Sequence, residues 1–225
     1  MTTRKTQFIE EEFYHIYNRG NSKQIIFHDE ADHARFLQLL CISNKAKRFA
    51  LKEVTDSVYI QERESPLVAI GSYCLMPNHF HLLLTPVIEN GVSLFMQKLS
   101  TGYAMYYNKK YKHTGGLFEG KFKSSYIDND NYLKYIFSYI HLNPVKLIDP
   151  TWKTLGLKDK NKSLDYLRRY KYSSYYDFLN KGNKNTERDE SVILNTEPFP
   201  KYFPNNRSFE REIISWLSLK PYKLN

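Results

Sequence analysis

Two kinds of hydrophobic spacing occur along the chain, one with period two and one with a helical period. Segments with period two, in which apolar and polar side chains take opposite faces, predict strands over residues 13–19, 67–75, 79–85 and 121–127. Apolar residues spaced three and four apart predict helices over residues 29–45, 92–110, 130–142 and 209–219. Asp29 is placed to cap the first helix, and Asp130 or Asn131 to cap the third, which Pro144 would end.

The order of these elements predicts the fold class. A strand and a helix precede a hairpin closed by Met76, Pro77 and Asn78, and a helix and a strand follow it. This order is typical of an α+β fold with a ferredoxin-like or RRM-like antiparallel sheet and helices packed on it. We expect a helical C-terminal extension after the sheet domain.

Composition changes near Pro150 and divides the chain into two predicted parts. Residues 1–150 contain the predicted sheet, with a charged, aperiodic segment at about 46–66 that we interpret as a surface insertion. Residues 151–225 are predicted to form a basic, partly helical C-terminal extension. Eight lysines and arginines lie within residues 146–171 against three aspartates. This pattern suits either contact with a polyanion or a solvated loop.

The balance of charge favours a polyanionic partner. The 225 residues include 33 Lys and Arg against 24 Asp and Glu, a net charge of +9, together with 19 Tyr and 14 Phe. Bases stack on aromatic rings while cations contact phosphates, so this mixture suits single-stranded nucleic acid. Cys41 and Cys74 lack the spacing of a metal site, and no apolar segment is long enough to span a bilayer. We therefore expect a cytoplasmic protein with no membrane partner.

Two histidines that are two residues apart, His79 and His81, lie in the third predicted strand. Side chains alternate along a strand, so both imidazoles point to one face and Phe80 points to the other. Neutral imidazole nitrogens can hold a divalent metal. Two ligands rarely complete such a site. The pair alone is therefore explained equally well as a metal site or as two polar side chains on a solvated strand face.

A second group of polar side chains lies on the helix predicted over residues 130–142. Tyr132, Tyr135 and Tyr139 share one face, and Asn143 follows Tyr139 by four residues. A tyrosine hydroxyl can attack a phosphodiester as a covalent nucleophile where a metal polarises the phosphate, and Asn143 can offer that metal an oxygen ligand. From spacing alone, a packing face with polar tips is the commoner explanation of such tyrosines.

Five segments in a fixed order resemble the signatures of a known family. They are Tyr14–Gly20, Tyr73–His81, Gly116–Ser124, Tyr139–Val145 and Tyr172–Tyr175. Together they are similar to the single-tyrosine HUH transposases and, more narrowly, to the REP-associated tyrosine transposases, which are relatives of the insertion-sequence-200 enzymes. The resemblance implies the same layered α+β fold and a transposase that acts on single-stranded DNA at hairpin, or palindromic, sequences.

The resemblance also implies a role for each candidate residue. Tyr139 would be the nucleophile, leaving a 5′-phosphotyrosine bond and a free 3′-hydroxyl that allows rejoining. His79, His81 and Asn143 would hold Mg²⁺ or Mn²⁺, whereas zinc is disfavoured because no cysteine or third nearby histidine completes a tetrahedron. Related enzymes act as dimers or as monomers, so a monomer and a homodimer both stay open.

Arg19, Lys121 and Lys123 are candidate contacts to the DNA backbone. The two lysines belong to a segment, residues 98–123, that has six lysines and Glu119 as its sole acidic residue. Phosphate contacts of this kind position DNA without reading its sequence. An exposed polar strand edge explains the same lysines.

The other histidines have no partner at a useful spacing in the sequence. His141 follows Tyr139 by two positions, on another face of the helix, and is interpreted as structural. The histidines interpreted as surface residues are His15, His28, His33 and His113.

Two other functions stay open on the residues alone. A non-catalytic RRM-like nucleic-acid-binding module explains the charge and the aromatic residues, but it leaves His79, His81, Tyr139 and Asn143 as coincidence. A histidine phosphoesterase or nucleotide hydrolase also uses strands with two alternate histidines. Such sites usually carry a further His or Thr at the next alternate position, where this chain has Leu83.

Overall fold

A four-stranded antiparallel sheet forms the centre of the protein. The structure, a computed structural model, describes residues 7–50, 52, 54–60, 65–202 and 205–217. The strands are Phe13–Arg19 (β1), Val68–Met76 (β2), His79–Pro86 (β3) and Lys123–Ile127 (β4). Their order across the sheet is β2-β3-β1-β4, and each neighbouring pair is antiparallel. This is the strand order of a ferredoxin-like sheet, which confirms the predicted α+β fold class.

Seven α-helices accompany the sheet in the described part of the chain. They are Glu30–Ile42 (α1), Gly91–Tyr111 (α2), Asp130–Leu142 (α3), Trp152–Leu155 (α4), Lys160–Arg169 (α5), Tyr175–Asn180 (α6) and Asn206–Leu217 (α7). The first three correspond to the long helices that the spacing predicts. α7 corresponds to the predicted C-terminal helix, whose last two residues, 218 and 219, lie outside the described part. None of these helices has the length and apolar character needed to cross a membrane.

The first and third helices begin at side chains that accept backbone hydrogen bonds. Asp29 caps α1 as predicted, and its carboxylate accepts a backbone N–H of the first turn at 3.0 Å. At α3 the cap is Asn129 rather than the predicted Asp130 or Asn131. The extended backbone of Asn129 directs its amide oxygen to the Tyr132 N–H, 2.9 Å away, whereas Asp130 is already helical.

Helices cover both faces of the sheet, which is therefore the middle of three layers. α1 and α2 pack on one face, against strand side chains that include Ile16 and Phe80. α3 and the helices that follow it pack on the other face, against side chains that include Cys74 and Leu83. Because neighbours in a strand point to opposite layers, the polar side chains of the second face lie between the sheet and α3.

The segment predicted as a surface insertion is partly buried. Among its described residues, Val54 and Val58 are only 2% and 1% exposed and pack in the core beside α1. Asp56 accepts a hydrogen bond from Gln38 of α1 at 2.8 Å. The sequence pattern missed these contacts because two apolar residues in a polar stretch are too few to define a period.

The part of the chain after Pro150 adds hydrogen bonds to the outer edge of β2. The Leu75 N–H donates to the Tyr172 carbonyl at 2.8 Å, and the Asn195 N–H donates to the Ile70 carbonyl at 3.0 Å. These bonds cover an edge that would otherwise be open to another strand. α6 and α7 pack on each other, and α7 packs on α3, so these helices complete the second layer.

A buried ion pair joins this C-terminal part to β2. Arg188 donates to both carboxylate oxygens of Asp177, at 2.7 and 2.9 Å, and to the Tyr73 hydroxyl at 2.8 Å. The Tyr73 hydroxyl in turn donates to Asp177 at 2.7 Å. The side chains of Asp177 and Arg188 are 2% and 15% exposed, so each charge depends on the other for compensation.

Replacing Arg188 by Met should destabilise the protein by about 3–5 kcal/mol, because Asp177 would stay buried without a counter-ion. Urea unfolding followed by circular dichroism measures this free energy. The matched control is Arg211→Met at an exposed position of α7, which should change the free energy of unfolding by less than about 0.5 kcal/mol. Equal stability of the Arg188 variant and the wild type would contradict a stabilising role for the ion pair.

Candidate active site

β1 and β3 place three histidines and a tyrosine on the sheet face that α3 covers. The two strands pair with Tyr17 opposite His81. Because side chains alternate, His15, Tyr17, His79 and His81 all point to this face, and Phe80 points into the layer of α1. The rings of His79 and His81 are nearly perpendicular, with centroids 5.0 Å apart.

His15 belongs to this group, and its prediction as a surface residue is wrong. It is 6% exposed, and its Nε2 forms a hydrogen bond of 2.8 Å with Nδ1 of His81. The rings stack with centroids 5.0 Å apart. The two residues are 66 positions apart, so no local pattern could pair them. The same prediction is wrong for His33, which is buried and stacks on Tyr172.

Hydrogen bonds orient both histidines of the pair. The Nδ1–H of His79 donates to Oδ1 of Asn78 at 2.6 Å, which leaves the Nε2 lone pair of His79 available to a ligand. When the Nδ1–H of His81 donates the bond to His15, the Nε2 lone pair of His81 is available to a ligand as well. Outer partners of this kind fix the tautomer and the ring orientation of metal-binding histidines.

Burial keeps these imidazoles neutral. It lowers the pKa of His79 to about 4 and the pKa of His15 to about 3, and the positive charge of nearby lysines acts in the same direction. Burial also holds the pKa of His81 well below its ordinary value, with repulsion from His15 and His79 added. The rings therefore present lone pairs at neutral pH, the form in which histidine binds metals.

α3 places the ring of Tyr139 against the histidines. Its centroid lies 5.4 Å from that of His81 and 6.0 Å from that of His15, edge to face in both cases. Tyr135 stacks on Tyr139, and Tyr132 on Tyr135, along the same face of the helix. Burial raises the pKa of the Tyr139 hydroxyl, and the nearby side chain of Asn143 opposes that increase.

Asn143 begins the 3₁₀ turn that follows α3. Its Nδ2 donates to the backbone carbonyl of Tyr139 at 3.0 Å, while its Oδ1 is buried without a hydrogen-bond partner. A buried oxygen of this kind lacks the partner that such groups nearly always have. The described residues contain no group of three or more His, Cys, Asp or Glu side chains that could hold a metal. A third protein ligand beside the histidine pair, if one comes from the described residues, would therefore be of another type, such as this amide oxygen.

Two lysines that follow α3 lie beside Tyr139. The Nζ of Lys153, in α4, is 3.7 Å from the centroid of the Tyr139 ring, and the Nζ of Lys146 is 5.7 Å from it. In the sequence, both lysines belong to a basic stretch with two possible roles. Residue spacing does not distinguish these two of eight cations, which turn back towards the preceding helix.

A cleft of about 330 Å³ opens beside Tyr139 and the histidine pair. The charged side chains that line it are Arg19, Lys23, Lys123 and Glu119. Arg19 is held in place by Glu119, whose carboxylate accepts two hydrogen bonds from the guanidinium. Lys121 is exposed and does not line the cleft, so the structure separates it from Lys123.

His141 has the structural position that its spacing from Tyr139 predicts. Its ring is fully buried, and its Nε2 forms a hydrogen bond of 2.8 Å with Oγ of Ser174. The ring also contacts those of Phe137 and Phe209. His141 therefore contributes to the packing of α3 on the C-terminal helices.

The sequence matches a family model, and the fold is similar to that of a solved structure. The family model described as transposase IS200-like matches residues 9–143, a range that contains the sheet, the histidine pair, Tyr139 and Asn143. The chain also resembles a solved structure of a REP-associated tyrosine transposase bound to a REP hairpin, with a TM-score of 0.51 and 11% sequence identity, over 84% of this chain and 90% of that chain. At this identity the structural likeness supports the fold. No curated protein matches the sequence.

Proposed function

The chain belongs to the transposase IS200-like family and is a transposase, and we propose that it cleaves and rejoins single-stranded DNA at hairpin sequences with Tyr139 as the nucleophile. The observation that carries this proposal is the position of the Tyr139 ring, 5.4 Å from that of His81 within one chain. A potential nucleophile, two neutral imidazoles and a cleft with basic walls thus occur together.

In the proposed cleavage, a phosphoryl group moves from a DNA oxygen to the tyrosine oxygen. Oη of Tyr139 attacks phosphorus, the P–O3′ bond breaks, the phenolic proton is lost, and the departing 3′-oxygen gains a proton. The products are a 5′-phosphotyrosine bond and a free 3′-hydroxyl. Rejoining is the reverse attack by a 3′-hydroxyl, with Tyr139 as the leaving group, so no external energy source is needed.

His79, His81 and Asn143 would hold Mg²⁺ or Mn²⁺ beside the cleft. Two neutral imidazoles, a buried amide oxygen and no thiolate suit a cation that keeps water among its ligands. The cation would supply Lewis-acid polarisation of the scissile phosphate. Asn78 and His15 would orient the two imidazoles.

In this proposal the DNA strand enters the cleft that Arg19, Lys23 and Lys123 line. Their cations can contact backbone phosphates without reading bases, and Tyr17 in the same cleft offers a ring on which an unstacked base can stack. The structurally similar transposase was solved with a REP hairpin, so we propose a hairpin with a single-stranded flank as the substrate. Lys121 would contact DNA outside the cleft.

We further propose that a single chain is sufficient for catalysis. Tyr139 contacts His81 through its own α3, and α3 packs on the sheet of the same chain. A monomer therefore needs no exchange of the tyrosine helix with a second copy. A homodimer, the other oligomeric state that the sequence allows, would keep this arrangement if each chain retained its own α3.

A non-catalytic RRM-like module explains these features less well. It would account for the basic cleft and for the tyrosines that stack along α3. It gives no reason for two neutral imidazoles oriented by Asn78 and His15, or for the unpaired buried Oδ1 of Asn143.

Tyr139→Phe should abolish covalent attachment to DNA and leave hairpin affinity nearly unchanged, because the substitution removes only the hydroxyl. The adduct is measured on a denaturing gel after incubation with a labelled hairpin and Mn²⁺. Tyr135→Phe, one turn earlier on the same helix face, is the control and should still form the adduct. An adduct in the Tyr139 variant would transfer the role of nucleophile to Tyr135 or Tyr132.

His79→Ala and His81→Ala should each remove cleavage, and excess chelator should stop the wild type. His15→Phe keeps both ligands, but it should weaken Mn²⁺ binding by roughly 10–100-fold because His81 loses the partner that orients it. Calorimetric titration with Mn²⁺ measures this affinity, and His33→Phe is the control at a buried histidine of α1. Cleavage in excess chelator, or unchanged Mn²⁺ affinity in the His15 variant, would contradict the proposed metal site.

Lys23→Ala combined with Lys123→Ala should flatten the salt dependence of DNA affinity. Each phosphate contact on a single strand contributes about −0.7 to the slope of log K against log salt concentration, so loss of two contacts should change the slope by roughly 1.4. Fluorescence anisotropy with hairpins of several sequences should show about equal weakening for each. Lys184→Ala, at an exposed position after α6, is the control. An unchanged slope in the double variant would place the DNA elsewhere.

A further inference from the structure

Lys153 covers the ring of the proposed nucleophile. Its Nζ lies 3.7 Å from the ring centroid of Tyr139, and the Nζ of Lys146 lies 5.7 Å from the same centroid. Both lysines follow the range that matches the family model, which ends at residue 143. The two cations beside the ring therefore come from a part of the chain to which that match assigns no role.

The chain after α3 is folded so that it returns to Tyr139. The 3₁₀ turn carries Lys146, and the short helix α4 carries Lys153. Between them Asp149 is buried, and its carboxylate accepts the Lys158 N–H at 3.0 Å. Trp152, next to Lys153, is buried in the hydrophobic cluster of α3. These contacts fix the backbone from which Lys153 extends over the ring.

Neither Lys146 nor Lys153 forms an ion pair with a carboxylate in the described part of the chain. Burial, followed by repulsion from Lys146, lowers the pKa of Lys153 to about 7. Positive charge in this half-buried position is costly until an anion is near. The anions that the proposed reaction brings here are the tyrosine oxygen and the phosphodiester.

We propose that Lys153, assisted by Lys146, is a positioning residue that stabilises the anionic form of the Tyr139 oxygen in both cleavage and rejoining; this inference rests on the function proposed above. The negative charge of a phenolate spreads into its ring, so a cation over the ring attracts a phenolate more strongly than a phenol. The same contact holds the ring in place against His81.

Stabilisation of the Tyr139 oxygen by Lys153 acts in both directions of the reaction. Cleavage forms the Oη–P bond of Tyr139, breaks the P–O3′ bond and moves one proton in net from the phenol to the 3′-oxygen. Rejoining reverses each change, so Tyr139 is the nucleophile in one direction and the leaving group in the other. Both pass through one transition state, so loss of a contact that stabilises it slows both directions.

The test measures adduct formation at saturating hairpin and rejoining by the isolated adduct, in wild type, Lys153→Met and Lys153→Arg. Met keeps the aliphatic stem and removes the charge, whereas Arg keeps the charge. We expect Lys153→Met to slow both directions by at least about tenfold, with hairpin affinity within about twofold, and Lys153→Arg to restore most of the rate. Lys184→Met is the control for loss of a lysine elsewhere and should match the wild type.

Several results would overturn the inference. One is a wild-type rate in Lys153→Met, and another is an equal loss in the Met and Arg variants, since charge would then not be the property that matters. A third is weaker hairpin binding with an unchanged rate at saturation, which would make Lys153 a DNA contact. Failure of the proposed function is distinct from all of these, because the wild type itself would then form no adduct. Thermal unfolding verifies that each variant is folded.

Discussion

The hydrogen bond between His15 and His81 is the contact on which the rest of the site depends. It lies buried between the sheet and α3, where neither ring can take a proton without a large loss of solvation. It joins the two central strands on the face that α3 covers, and it orients His81. The ring of Tyr139 packs against both imidazoles, so these contacts bring the chemical groups of α3, β1 and β3 together.

Much of this arrangement follows from local rules that the sequence makes visible. Alternation along β3 directs His79 and His81 to one face, and helical spacing directs Tyr132, Tyr135 and Tyr139 to one side of α3. The order of strands and helices predicts the antiparallel sheet. The error in the cap of α3 did not affect the predicted orientation of the helix, because its apolar side, rather than its first residue, determines which side faces the sheet.

Some contacts could not be predicted from the sequence. They involve residues that are far apart along the chain, or residues that look like their neighbours in the sequence. His15 looks like any polar residue of a strand until β1 is placed beside β3. Lys153 is one of eight cations between residues 146 and 171, and only the path of the chain after α3 separates it from the rest. Arg188 lies in a polar stretch of the sequence, yet its partner Asp177 is buried. The register of the strands, the path of the chain and burial are properties of the tertiary structure, so they cannot be derived from residue spacing.

Mass spectrometry of the covalent adduct can identify directly the residue that bonds to DNA, which we propose is Tyr139. The adduct is made with a hairpin oligonucleotide and Mn²⁺, and is then digested with nuclease and trypsin. The residual nucleotide should be carried by the peptide Tyr135–Lys146, and fragmentation should place it on Tyr139. A nucleotide on Tyr135 of that peptide, or on any other peptide, would contradict the claim.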